Sequence, residues 1–152
     1  MKSSTNGAAE YFFADTNLLL YTLDRRDPDK YRSADRWVKA LWESGAGRLS
    51  WQVLHEYYAS AIRKLKHPPT QARLDVEGFL EWRPVGFDFV LLQRAWHWTD
   101  RAQTPFWDSL IVASAEAAGC AYLLSEDFQD GQKYDTVTIV NPFRHQPDEL
   151  LR

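Results

Sequence analysis

Apolar residues follow two different spacings along the chain. Short apolar runs between polar residues are typical of buried strands, and apolar positions that recur every three or four residues are typical of helices. Strands are therefore predicted at EYFFA (10–14), RLSW (48–51), CAYLLS (120–125) and TVTIV (136–140). Helices are predicted over residues 18–24, 29–44, 51–64, 70–80, 87–101 and 105–118. This alternation indicates a mainly parallel sheet covered by helices on both faces.

Length and composition fit one globular domain. The 152 residues are 45% hydrophobic and 26% charged, which predicts a domain over residues 10–143 between a flexible lead at 1–9 and a tail at 144–152. No apolar stretch is long enough to span a membrane, and the amino terminus does not resemble a signal peptide. The single Cys120 cannot form an internal disulfide, which favours a cytoplasmic protein.

Charge and missing motifs narrow the chemistry. A net charge of −3 argues against binding nucleic acid through bulk positive charge, but not against an acidic site that is neutralised by cations. The sequence has no glycine-rich nucleotide-binding loop, no GxSxG motif and no Cys/His spacing suited to zinc. Its histidines are scattered. Carboxylates are therefore the better candidates.

Asp15 ends the apolar run YFFAD. Ligand sites of open parallel sheets lie beyond the carboxyl ends of the strands, which is the position predicted for this carboxylate. The alternative is that Asp15, Thr16 and Asn17 only cap the helix that follows. Sequence position alone leaves both interpretations open.

Asp108 lies in FWDSLIVASA, an otherwise apolar helix. Thr104 and Pro105 are suited to the N-cap and the first helical position, so a capping-box acid would fall one residue before Asp108. Helical spacing places Asp108 on one face with Val112 and Ala115, and a carboxylate facing a core is costly unless it is paired or binds a cation. The other interpretation is a first-turn acid favoured by the helix dipole.

Two further acids are weaker candidates. Asp127 follows the strand CAYLL, at the position equivalent to Asp15, with Glu126 and Asp130 as close rivals. Glu56 lies at the polar edge of its helix, where a solvated glutamate is the simpler interpretation. Four carboxylates at one sheet edge would suit Mg²⁺ or Mn²⁺, which prefer oxygen ligands and can activate water against a phosphodiester.

The order of these segments resembles the PIN-domain nucleases. The resemblance rests on four motifs, which are ADTNLLLY with Asp15, HEYY with Glu56, FWDSLIVASA with Asp108, and LLSEDF with Asp127. With VNPF it covers residues 11–143, and FWDSLIVASA is its most specific part. It implies a three-layer α/β/α sandwich and a metal-dependent endonuclease that usually acts on RNA.

The resemblance also implies roles for individual residues. Mg²⁺ or Mn²⁺ would be held by Asp15, Glu56, Asp108 and Asp127. Polar support would come from Asn17 and from Ser125, which stands where the family often has Thr. Capping of the first helix is then left to Thr16 or Asn17.

Small bacterial members of the family resemble VapC toxins. These toxins form homodimers and are silenced by a small antitoxin protein that inserts into a groove near the acids. Four aromatic residues could line such a groove, although core packing is an equal alternative for each: Trp37, Trp42, Trp51 and Tyr58.

Basic residues that could contact RNA phosphates fall in two clusters, Arg25, Arg26, Lys30 and Arg32, and Arg63, Lys64 and Lys66. Solvated helix faces are the alternative. A housekeeping PIN nuclease in RNA processing and a non-catalytic binding module are the alternatives to a toxin. A phosphatase of the haloacid-dehalogenase type is disfavoured, because it would normally have a second Asp where this chain has Asn17.

Overall fold

The computed structural model describes residues 10–151, which form a mixed α/β fold; the predicted lead at 1–9 lies outside them. The strands are β1 (Tyr11–Ala14), β2 (Gly47–Arg48), β3 (Cys120–Leu124), β4 (Lys133–Tyr134) and β5 (Val137–Val140). The helices are α1 (Thr16–Tyr21), α2 (Pro28–Ser44), α3 (Trp51–Leu65), α4 (Pro69–Phe79), α5 (Phe89–Ala102), α6 (Phe106–Ala117) and α7 (Pro147–Leu150). No helix in this part of the chain is long and apolar enough to cross a bilayer.

The strands form one sheet in the order β2-β1-β3-β5-β4. β2, β1, β3 and β5 are parallel, and β4 pairs antiparallel with β5. The prediction of an α/β fold with a mainly parallel central sheet is therefore confirmed. The chain passes from β1 to β2 on one side and from β3 to β5 on the other, so the carboxyl ends of β1 and β3 meet at a topological switch point, where open sheets bind ligands.

The two central strands are buried on both faces. Phe12, Phe13, Leu123 and Leu124 are 0–1% exposed, since α6 packs on β3 and the Phe12 ring packs on Trp37 of α2, with ring centroids 5.8 Å apart. A strand covered on both faces needs apolar residues at every position, which explains the continuous runs YFFA and CAYLL. Burial on both sides holds the two strand ends in fixed positions.

Three local predictions differ from the structure. Helix α6 begins at Phe106 with Pro105 as its N-cap, because the Thr104 hydroxyl is buried in a 2.9 Å hydrogen bond with the Tyr134 hydroxyl. The strand predicted at 48–51 is shorter, since Ser50 caps α3 by accepting a hydrogen bond from Val53 N. The short elements β4 and α7 were not predicted.

The segment predicted as a tail packs on α2 over its described part. The Trp37 indole N–H donates to the carbonyls of Pro142 and His145, at 2.9 and 3.0 Å. Asp130 accepts hydrogen bonds from Asn141 N and His145 Nε2, both at 2.8 Å. Trp37 is fully buried, so the core interpretation is confirmed for this tryptophan.

The pair of His145 and Asp130 makes stability depend on pH. The Asp130 hydrogen bond raises the pKa of His145 above its ordinary value of 6.5. Burial alone would raise the pKa of Asp130, but its hydrogen bonds from Asn141 and His145 lower it. A raised histidine pKa means that the stabilisation is complete below 6.5 and is lost as pH rises through the folded-state pKa.

We predict that His145→Gln lowers the melting temperature at about pH 5.5 and has little effect at about pH 8.5. The decrease at the lower pH should be at most about 2–4 °C, because the pair is partly exposed. Thermal unfolding of both proteins at the two pH values measures this difference. His97→Gln is the control, since His97 is exposed and forms no salt bridge within residues 10–151. An equal effect of His145→Gln at both pH values would contradict the prediction.

Candidate active site

One pocket of about 290 Å³ is lined by carboxylates from four separate parts of the chain. Asp15 follows β1, Glu56 lies on α3, Asp108 lies on α6, and Asp127 follows β3. The structure thus brings all four sequence-predicted acids to one pocket at the switch point of the sheet. Its other lining residues are Thr16, Asn17, Leu20, Gln52, Ser60, Lys64, Trp107 and Ile111.

Asp15 has both carboxylate oxygens in hydrogen bonds. Oδ1 accepts from Thr16 N at 2.8 Å, and Oδ2 accepts from Ser125 Oγ at 2.7 Å. Asp15 is therefore itself the N-cap of α1, and the prediction that Thr16 or Asn17 caps this helix is wrong, because β1 ends at Ala14 and α1 begins at Thr16, which leaves Asp15 at the cap position. Capping uses one lone pair of the carboxylate and leaves others available.

Burial governs the charge of Asp15. It raises the pKa of this carboxyl to about 6, against two hydrogen bonds that lower it, and the nearby Asp127 and Glu56 carboxylates raise it further. Within residues 10–151, Asp15 forms no salt bridge. A buried carboxylate without a cationic partner is costly, so this position favours an added positive charge.

Ser125 and Asn17 both contact the acids. Ser125 Oγ donates to Asp15 and accepts from Asp127 N at 3.1 Å, so one hydroxyl connects two of the acidic residues. Asn17 Nδ2 donates to Asp127 Oδ2 at 3.2 Å. These contacts are what a supporting role requires.

Glu56 is held by two residues that sequence reasoning did not assign to the site. Thr16 Oγ1 donates to Glu56 Oε1 at 2.6 Å, and Gln52 Nε2 lies 3.4 Å from Oε2. Gln52 precedes Glu56 by four residues, so helical spacing carried a signal for this contact. Thr16 carried none, since a threonine after a strand is equally suited to capping.

Asp108 occupies the third position of α6, because the helix begins at Phe106. This is the position of a capping-box acid, so the sequence argument that excluded that role was wrong. The box cannot form, however, because Pro105 at the N-cap has no backbone N–H for the acid to bind. Burial raises the pKa of Asp108, and Asp127 and Glu56 raise it further.

The two rivals of Asp127 have other partners. Glu126 accepts a 2.6 Å hydrogen bond from Lys30 Nζ. Asp130 is occupied by Asn141 N and His145. Neither lines the acid pocket.

The donor set suits a hard divalent cation, although its members do not converge on one point. Among residues 10–151, no group of three or more His, Cys, Asp or Glu side chains is arranged so that it could hold a metal ion. Burial, and then the neighbouring carboxylates, raise the pKa of Asp15 and Asp108. Gln52 Oε1 is buried beside them without a hydrogen-bond donor in the described chain. Oxygen donors with uncompensated negative charge fit Mg²⁺ or Mn²⁺.

Lys64 is the basic residue of the predicted clusters that lines the acid pocket. It also lines a neighbouring pocket together with Arg26, whose guanidinium is paired with Asp24 at 2.8 Å. Others have local contacts, namely Arg25 with the Tyr31 ring, Lys30 with Glu126, Arg32 with Asp29, and Lys66 with the Arg63 carbonyl. The side chain of Arg63 is exposed and lies outside both pockets.

Two of the four predicted groove aromatics lie together. Trp51 and Tyr58 line a groove of about 470 Å³ between α3 and α4, with Leu54, His55, Arg73, Val76 and Glu77. Trp42 is 41% exposed and stacks on Phe79 outside this groove. Trp37 belongs to the core.

Three solved structures share this fold at low sequence identity. VapC20 of Mycobacterium tuberculosis, described as a sarcin-ricin loop cleaving toxin, is 20% identical with a TM-score of 0.56, over 74% of this chain and 86% of that one. A chain of a toxin-antitoxin complex from Klebsiella pneumoniae is 16% identical with a TM-score of 0.60, over 88% and 98%. A chain of VapBC2 from Rickettsia felis, bound to a promoter DNA fragment, is 15% identical with a TM-score of 0.56, over 85% and 96%.

A family model described as the PIN domain matches residues 12–130. No curated protein sequence matches the chain. The matched region includes all four acids of the pocket and most of the fold that positions them. The chain therefore belongs to the PIN-domain family.

Proposed function

We propose that this protein is a divalent-metal-dependent endoribonuclease and the toxin of a toxin-antitoxin pair. The observation that carries the proposal is the single pocket, at the carboxyl ends of the central strands, that Asp15, Glu56, Asp108 and Asp127 line together. Membership of the PIN-domain family supports nuclease chemistry. The description of VapC20 as a sarcin-ricin loop cleaving toxin supports RNA as the substrate.

The four acids would hold Mg²⁺ or Mn²⁺. When bound, such an ion would supply a water of lowered pKa and would polarise the phosphodiester. The chain's own polar groups fix the ligands in place: Ser125 and Thr16 N orient Asp15, Thr16 Oγ1 orients Glu56, and Asn17 orients Asp127. Because these carboxylates are already oriented, metal binding would cost less side-chain conformational entropy.

We predict that Asp15→Asn and Asp108→Asn each reduce RNA cleavage by at least about 100-fold, since loss of a metal ligand costs more than loss of an outer-shell partner. The fold should persist in Asp15→Asn, because the amide oxygen of the new side chain can still accept from Thr16 N and its NH₂ group can donate to Ser125 Oγ. Cleavage of a labelled single-stranded RNA with added Mg²⁺ measures activity, and thermal unfolding measures folding.

Glu126→Gln is the matched control, because Glu126 is adjacent to Asp127 in sequence but pairs with Lys30. It should retain activity, whereas Asp127→Asn should lose it. Undiminished cleavage by Asp15→Asn or Asp108→Asn would reject the metal-nuclease proposal. Activity that is unaffected by a chelator would reject it as well.

Lys64 is suited to contact a phosphate of the substrate. It lies on α3 two turns beyond Glu56 and on the same helical face, with Ser60 between them. The acid pocket repels bare phosphate, so a cation at its margin lowers the cost of bringing an RNA backbone close. Lys64 also lines the neighbouring pocket, which supports a contact with a phosphate of an RNA strand that extends beyond the acids.

We predict that Lys64→Ala weakens RNA binding uniformly across sequences and reduces the slope of log K against log salt by about 1, because one phosphate contact is lost. Filter binding of one RNA over a series of salt concentrations measures the slope. Arg63→Ala removes the same charge from the preceding residue, outside the pocket, and should leave the slope nearly unchanged. Equal changes of the slope in Lys64→Ala and Arg63→Ala would contradict a specific phosphate contact of Lys64, because only the net charge of the protein would then matter.

We propose that the inhibitory partner is a small antitoxin protein that binds the groove of Trp51 and Tyr58. The similar structure from Klebsiella pneumoniae is described as a toxin-antitoxin complex. The groove lies between α3 and α4, and α3 also carries Glu56 and Lys64. The groove residues and the acid-pocket residues lie on different faces of α3, so a partner anchored in the groove would have to pass around this helix to reach the acids. We also propose that the protein forms a homodimer, as the family resemblance implies, and that it acts in the cytoplasm.

We predict that a small protein encoded beside this gene co-purifies with the chain and suppresses its RNA cleavage. Trp51→Ala should weaken that complex by about tenfold or more, as expected for a buried aromatic anchor. Titration calorimetry with the purified partner measures the affinity. Trp42→Ala is the control, since Trp42 is similarly exposed outside the groove. If Trp51→Ala bound the partner with unchanged affinity, the antitoxin would not bind in this groove.

A further inference from the structure

Trp107 exposes a large aromatic surface beside the acids. Its side chain is 63% exposed and lines the same pocket as Asp15 and Asp108. The residues that follow it on α6, Ser109–Ala115, are all buried. A helix whose central residues are all buried thus presents its one indole to solvent, at the margin of the candidate active site.

The Trp107 ring rests on an anchored neighbour. Phe106 meets it edge to face, with ring centroids 5.2 Å apart, and Phe106 packs against the small core of Leu91, Ala95, Leu110 and Ala113. The start of α6 is further fixed by the buried hydrogen bond between Thr104 and Tyr134. A flat aromatic surface on a rigid support loses little conformational entropy when a ligand covers it.

We propose that Trp107 stacks on one unpaired base of the RNA next to the cleaved phosphodiester, and that it thereby restricts the enzyme to single-stranded segments. The inference rests on the proposed ribonuclease function. Proteins that bind single-stranded nucleic acid combine a cationic track for the backbone with aromatic platforms for the bases. Here the acids lie in one pocket with both kinds of group, Trp107 and Lys64.

The arrangement gives the RNA strand a path. Lys64 lines the acid pocket and the neighbouring pocket, whereas Trp107 and Asp108 line only the acid pocket. A base on Trp107 therefore belongs to a nucleotide at the acids, and Lys64 contacts a phosphate further along. A base paired within a duplex has both faces covered by its stacked neighbours, so it cannot stack on the indole without being extruded.

A nucleic acid explains Trp107 better than an antitoxin protein does. The groove proposed for the antitoxin is lined by Trp51 and Tyr58 and does not include Trp107. The pocket beside Trp107 holds four carboxylates and one lysine, which suit metal-bound phosphate more than an apolar peptide anchor.

The test combines protein and RNA changes in a double-mutant cycle. Binding of fluorescein-labelled single-stranded RNA is measured by anisotropy with Mg²⁺ present, in a Glu56→Gln background that prevents cleavage. We expect Trp107→Ala to weaken binding by about 5- to 150-fold, and one abasic nucleotide to cause the same loss. The two changes together should cost no more than either alone. Trp107→Tyr should retain most of the affinity, and Trp107→Leu should not.

Trp96→Ala is the matched control, because Trp96 is 46% exposed on α5 and does not line the acid pocket; it should change affinity by less than about twofold. The inference is overturned if Trp107→Leu binds as tightly as wild type, if no abasic position is coupled to Trp107, or if Trp107→Ala loses only antitoxin binding. RNA cleavage by wild type with no effect of Trp107→Ala rejects this inference alone. Trp107-dependent RNA binding without any cleavage rejects the nuclease function, and with it the position beside a cleaved bond, and leaves only the stacking of Trp107 on an unpaired base.

Discussion

The hydrogen bond from Ser125 Oγ to Asp15 joins the ends of the two central strands, and the rest of the site depends on it. Ala14 pairs with Leu124 in the parallel register of β1 and β3, so the next residue of each strand lies beside the other. Ser125 then fixes Asp127 through its backbone N–H. A one-residue slip in this register would turn each side chain to the opposite face of the sheet and separate the acids.

The same arrangement concentrates negative charge that the described chain does not balance. Asp15 combines burial with two neighbouring carboxylates, and its capping of α1 offers only the partial positive charge of a helix terminus. Glu126 and Asp130, which are also near this edge, have partners of their own, since Lys30 pairs with Glu126 and His145 forms a hydrogen bond with Asp130. The contrast separates acids that have such partners from the acids of the pocket, which have no salt bridge in the described chain and which we propose bind a metal ion.

Sequence patterns predicted the central strands because burial on both faces leaves uninterrupted apolar runs. They did not predict β4 or α7, since elements of two and four residues contain no periodicity to detect. The four acids could be named from strand ends, from an apolar helix and from the family resemblance. The hydrogen bond between Thr16 and Glu56 joins residues 40 positions apart, and no local pattern signals it. Sequence patterns did not predict the exposure of Trp107 either, because an aromatic residue in an apolar helix is expected to be buried.

The outer strands of the sheet limit how the protein can associate with copies of itself. β2 and β4 form the two edges, and each has only two residues. At the β2 edge the Trp82 ring lies so close that a Cβ atom on Gly47 would fall 2.6 Å from it. Edges this short offer few free backbone groups for another strand to pair with. Association of two copies by strand addition, and fibrous growth by the same route, are therefore disfavoured.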